Sequence, residues 1–109
     1  SGCEALDSFS IPVKTNIIGD YAFSGCTNIK EVSIPESVKS LGVAPFQSCF
    51  NLGEIRCGAT TPPTLGISLG ESLLKLNSVF VPQPSVNNYK SAEVWSQFAN
   101  KMKGKQKSE

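Results

Sequence analysis

The sequence predicts a solenoid: a right-handed superhelix of about four 23-residue coils that stack their strands into one parallel β-ladder, with a C-terminal capping helix. Three observations predict it. First, Gly2, Cys3, Leu6, Phe9, Ile11, Pro12, Ile18, Gly19 and Phe23 return 23 positions later as Gly25, Cys26, Ile29, Val32, Ile34, Pro35, Leu41, Gly42 and Phe46. Second, every copy contains a short stretch in which apolar and polar residues alternate, as a strand with one buried face requires. Third, proline follows three of these stretches, at Pro12, Pro35 and Pro82, and removes a backbone donor where the ladder should stop. Coils of this length cannot bury their apolar faces alone, so they must stack.

The strands are expected from Leu6 to Ile11, Ile29 to Ile34, Leu52 to Cys57 and Leu76 to Val81. Their inward residues should form one buried column that includes Leu6, Phe9, Val32, Ile55 and Val79. A second extended stretch, such as Val38-Lys39-Ser40-Leu41, lies on the opposite wall and closes at Gly19, Gly42 and Gly66, where glycine suggests a positive φ. The aromatic rings of Phe23 and Phe46 should then fill the space between the walls. The third copy keeps Ser48, Cys49, Leu52, Ile55 and Cys57 in phase, then gains one residue before Leu65 and Gly66. There Gly58-Ala59-Thr60-Thr61-Pro62-Pro63 replaces the proline turn and should be extended. The fourth copy runs through Ser72, Leu73, Leu76, Val79, Val81 and Pro82. Beyond it Val86, Tyr89, Trp95, Phe98, Ala99 and Met102 fall close to helical spacing, which predicts an amphipathic helix from about residue 86 whose Trp95 and Phe98 cover the last coil. Residues 1–100 thus read as one domain, and residues 101–109 as a flexible basic tail.

The string Ile34-Pro35-Glu36-Ser37-Val38-Lys39-Ser40-Leu41-Gly42, continued by Phe46, Cys49 and Leu52, closely resembles the BspA-type (TpLRR-like) leucine-rich repeat, with its I-P-x-S-V-x-x-I-G-x-x-A-F-x-x-C-x-x-L pattern. The closing segment, through Val79-Phe80-Val81-Pro82 to Tyr89, is similar to the C-terminal portion of such proteins from gut Bacteroidetes, including Bacteroides. The resemblance spans roughly residues 2 to 102. It implies a horseshoe-like α/β leucine-rich repeat solenoid in a secreted or cell-surface protein that adheres to host matrix proteins or to other cells. It supplies no catalytic residues. The departures are Gly58 at the proline site, Gly70 at the phenylalanine site and Leu73 at the cysteine site.

Composition excludes other functions. The four lysines and one glutamate of residues 101–109 leave six basic and eight acidic residues in the body, so no clustered basic face is expected for nucleic acid. No apolar run approaches the roughly 18 residues of a membrane span, so the fragment itself is not expected to insert. The chain contains no histidine, which excludes Ser-His-Asp and Cys-His catalysis and removes the commonest metal ligand. Gly66-x-x-x-Gly70 lacks the lysine and hydroxyl residue of a phosphate loop. Cys3, Cys26 and Cys49 share one repeat position. Coil spacing would permit a disulfide, but side chains pointing the same way argue against one, so a reduced, buried ladder is expected. Three thiols in line do not converge on a metal, and no cofactor is expected.

The expected function is therefore non-catalytic binding or adhesion through the outward strand face, which presents Ser8, Ser10, Glu31, Ser33, Glu54, Arg56, Ser78 and Phe80. Glu31, Glu54, Arg56 and Phe80 are the partner-binding candidates. Host matrix proteins, cell-surface proteins and glycans are the expected partners. The alternative is a structural cap and spacer within a longer surface adhesin. Since Ser1-Gly2-Cys3 matches Ser24-Gly25-Cys26, the chain starts inside a repeat. Further coils and an export signal are expected upstream, and weak self-association is expected through the uncovered edge of the first coil.

Overall fold

The computed structural model describes residues 7–70 and 73–105. The strands are β1 (Ser8–Ser10), β2 (Ile17–Ile18), β3 (Glu31–Ile34), β4 (Ser40–Leu41), β5 (Glu54–Cys57), β6 (Ser78–Pro82) and β7 (Met102–Lys105). The only α-helix among the described residues is α1 (Val86–Ser91), flanked by 3₁₀ turns at Gln83–Ser85 and Trp95–Lys101. One wall is a five-stranded sheet in the order β1-β3-β5-β6-β7, and the opposite wall pairs β2 with β4. An isolated bridge from Ser40 to Thr64 carries that second wall one coil further. Every paired strand is parallel, as stacking of successive coils demands.

The register follows the repeat. Phe9, Val32, Ile55, Val79 and Met102 pair in succession across the sheet, and the middle three are fully buried. With Ile29, Ile34, Leu52, Leu76 and Val81 they form the core between the walls, each full burial being worth about 1.5–3 kcal/mol. Phe9 is only partly buried, and Leu6 lies outside the described residues. From the far wall, Phe23 packs between Phe9 and Phe46, with ring centroids 5.4 and 5.6 Å away. Leu69, fully buried, joins the core beside Gly70, where the aromatic of the earlier coils is missing.

Four expectations are corrected by this architecture. Positive φ is found at Tyr21 and Ala44, and again at Gly25 and Ser48, two pairs of equivalent sites, but not at Gly19, Gly42 or Gly66. Gly42 and Gly66 answer instead to close approach of the preceding coil. A Cβ would stand 2.7 Å from the Asp20 nitrogen at the first and 2.9 Å from the Val43 Cα at the second. Second, no continuous amphipathic helix forms after residue 86. The chain leaves α1 at Ala92, which is extended, and turns at Val94 with φ 69°. That break lets Trp95 point back and donate its indole N–H to the Pro63 carbonyl at 2.8 Å while stacking edge-on against Tyr89. Third, the basic tail does not start at Lys101. Met102 lies one further 23-residue step from Val79, so Met102–Lys105 continues the ladder as β7, pairing in register with Val79 to Pro82.

The fourth correction concerns the cysteines. Cys26 is disulfide-bonded, whereas Cys49 and Cys57 are buried free thiols and Cys3 lies outside the described residues. A spacing of about 4.8 Å between successive coils falls within the Cα separation that a disulfide accepts. The Cys49 thiol instead donates to the Phe23 carbonyl at 3.0 Å. Among the described residues no group of three potential metal-ligating side chains exists, and no helix is long and apolar enough to cross a membrane.

Candidate functional site on the strand face

Alternation along parallel strands in register puts equivalent side chains in rows on the outer face. One row is Ser8, Glu31, Glu54 and Ser78; the other is Ser10, Ser33, Arg56, Phe80 and Lys103. All four candidate binding residues, Glu31, Glu54, Arg56 and Phe80, lie together in the half of the face built by β3, β5 and β6. The serines of β1 and β3 leave the other half without bulk.

Arg56 organises the cluster. Its Nε donates to a carboxylate oxygen of Glu54 within the same strand and lies 3.4 Å from a Glu31 carboxylate oxygen on the neighbouring strand. The carboxylates of Glu31 and Glu54 would repel each other across the ladder, and the guanidinium between them offsets that. Its far side lies over the Phe80 ring, 4.7 Å from the centroid, in a cation–π contact. Lys103 approaches the same ring at 5.8 Å and donates to the Ser78 hydroxyl at 3.0 Å. Phe80 is thus held by two cations, half-exposed, on a rigid sheet. Exposed ion pairs of this kind add little to stability, so the value of the arrangement lies in fixing side-chain geometry.

Ser78, read as an outward residue, is buried because Lys103 covers it. Lys103 is the site residue that sequence reading missed, having been assigned to the tail. The signal was present: Phe80 and Lys103 are 23 residues apart, as are Ser33 and Arg56.

The arrangement offers a mixed-charge, aromatic surface with no nucleophile and base poised together. Stacked coils with one sheet strand each, an apolar inner row and a polar outer row define a leucine-rich repeat protein. The family model described as the BspA type leucine rich repeat region (6 copies) matches residues 1–93, and the chain belongs to that family. No curated protein matches the chain.

Proposed function

We propose that this chain is a non-catalytic binding or adhesion module that engages a protein or glycan partner through its strand face. The observation that carries the proposal is Phe80 fixed between Arg56 and Lys103, since aromatic and arginine side chains dominate binding energy at interfaces. A rigid, prearranged cluster loses little entropy when a partner docks. The family's association with secreted and surface proteins suggests an extracellular setting, where a host matrix protein or cell-surface glycan would be met. The test is adhesion of the purified chain to immobilised matrix proteins and glycans, compared with Phe80→Ala and Arg56→Ala. Loss of about tenfold or more in affinity in either variant, equivalent to about 1.4 kcal/mol, supports the strand face. Unchanged affinity in both, with loss in Tyr21→Ala on the opposite wall, rejects it. The spacer reading is favoured by one observation: Ser8, Ser10 and Ser33 leave the β1 and β3 half of the face with little to grip. It predicts that the isolated chain binds nothing in either panel.

A further inference from the structure

We propose that the turn rim of the sheet carries a second binding site, distinct from the strand face, and that its ligand is a neutral oligosaccharide. The rim lies where the strands end and the chain turns toward the opposite wall. Here the third coil departs from its repeat: Gly58 stands where Pro12, Pro35 and Pro82 stand elsewhere, and the extended run to Pro63 follows. Beside this departure lies a groove of about 590 Å³ whose lining includes Val13, Glu36, Lys39, Thr60, Thr61 and Pro62. A second groove of about 470 Å³ shares Glu36 and Thr60 and extends past Gly58 to Pro84 and Lys105. The two grooves therefore adjoin at Glu36 and Thr60, which line both.

The backbone of residues 59–63, which contributes to the lining of both grooves, is held in place. The Tyr89 hydroxyl donates to the Ala59 carbonyl at 2.5 Å, Ser85 Oγ to the Thr60 carbonyl at 2.7 Å, and Trp95 Nε1 to the Pro63 carbonyl at 2.8 Å. Three side chains of the segment after β6 therefore pin the backbone of residues 59–63, which leaves the Thr60 and Thr61 side chains exposed. Rigid presentation lowers the entropy lost on binding.

The lining selects the ligand class. Glu36 accepts, Lys39 and Lys105 donate, and threonine hydroxyls do both, while Pro62 and Pro84 supply flat hydrocarbon for the apolar face of a sugar ring. The Glu36 carboxylate and Lys39 ammonium take part in no ion pair among the described residues, so both remain available. The lining carries one carboxylate, Glu36, against two ammonium groups, Lys39 and Lys105, so it presents no strong charge of either sign to a ligand. Among the described residues neither groove is lined by an aromatic residue or arginine, the types that anchor a protein partner. A chain of hydroxyl-rich rings fits the mixed donor and acceptor pattern of two adjoining grooves.

The experiment is titration of the ¹⁵N-labelled chain with neutral tetrasaccharides of glucose, galactose, mannose and N-acetylglucosamine, followed by amide chemical shifts. At least one sugar should shift Glu36, Lys39, Thr60 and Thr61 in a saturable manner. Glu36→Gln and Thr60→Val, both exposed and outside the core, should each weaken it about tenfold, as expected for loss of one hydrogen bond to a charged or polar group. Lys90→Ala, exposed on α1 and lining neither groove, should leave the sugar-induced shifts unchanged. The proposal is overturned if none of the four sugars shifts the rim, if shifts fall on β5 and β6 instead, or if only a peptide or an acidic sugar occupies the groove.

Discussion

Gly42 and Gly66 lack a side chain because the preceding coil occupies the space, so the strongest residue-scale constraints in this fold run between coils. Asp20 makes the point from the other side: its carboxylate accepts the Val43 amide at 2.8 Å, one coil on, at the same close approach. Gly66→Ala should lower stability by about 1–3 kcal/mol, because the neighbouring backbone of Val43 cannot swing aside as a flexible side chain could. Denaturant titration checks this, and a change below about 0.5 kcal/mol would show that the coils can part there without cost. A second residue-scale consequence concerns pH. Burial raises the Cys57 thiol above its ordinary 9.0 and the Tyr89 phenol above its ordinary 10.0, the two groups lying 3.2 Å apart. The folded state keeps both protons where the unfolded chain releases them. The unfolded state then binds fewer protons, so stability, fully present below about pH 9, should fall as pH rises beyond it. Unfolding midpoints measured from about pH 8 to about pH 10.5 should decline, and Tyr89→Phe should flatten the upper part of the slope.

At the scale of elements, β7 changes the site as much as the core. It places Met102 beside Val79 and Lys103 beside Phe80, adding to both faces of the sheet in one stroke. Met102→Ala should cost about 2 kcal/mol, the low end for such truncations since the residue sits at the end of the inward row. Lys103→Ala should leave stability nearly unchanged while freeing Phe80 on one side. A thermal melt of both variants checks the pair, and equal effects would mean that β7 is not docked through Met102. These elements also show what was legible in the sequence. The paired strands β3, β5 and β6 could be read because alternation and a 23-residue step reinforce each other at Val32, Ile55 and Val79. So could the candidate site, since register alone brings Glu31, Glu54, Arg56 and Phe80 together. The C-terminal segment misled because Tyr89, Trp95, Phe98 and Met102 also satisfy a helical period, and local periodicity cannot reveal that Trp95 gains a partner at Pro63 or that Met102 gains one at Val79. Glycine was misread for a similar reason: one residue type serves both positive φ and close approach, and only the neighbouring coil tells them apart.

At the scale of the whole molecule, stacking makes the solenoid unequal along its length. A coil in the middle is paired on both sides, whereas β1 pairs with β3 alone among the described strands, and the opposite wall at the same level exposes Val13, Ile17 and Tyr21. Stability in such quasi-one-dimensional folds is close to a sum of nearest-neighbour terms, so a coil with one neighbour opens more readily than a coil with two. That edge, without a second neighbour among the described residues, and the apolar residues beside it favour pairing with another chain. Hydrogen exchange should therefore be faster in Ser8–Ser10 and Ile17–Ile18 than in Glu31–Ile34 and Glu54–Cys57 when the protein is dilute and monomeric. Raising the concentration should slow exchange at β1 and β2 selectively, with the centre unchanged, if copies meet through this edge. Sedimentation velocity on the same samples would distinguish association from intrinsic order. A dilute monomer whose β1 amides exchange as slowly as those of β5 would refute the gradient, because it would require the first coil to draw its stability from something other than a neighbour.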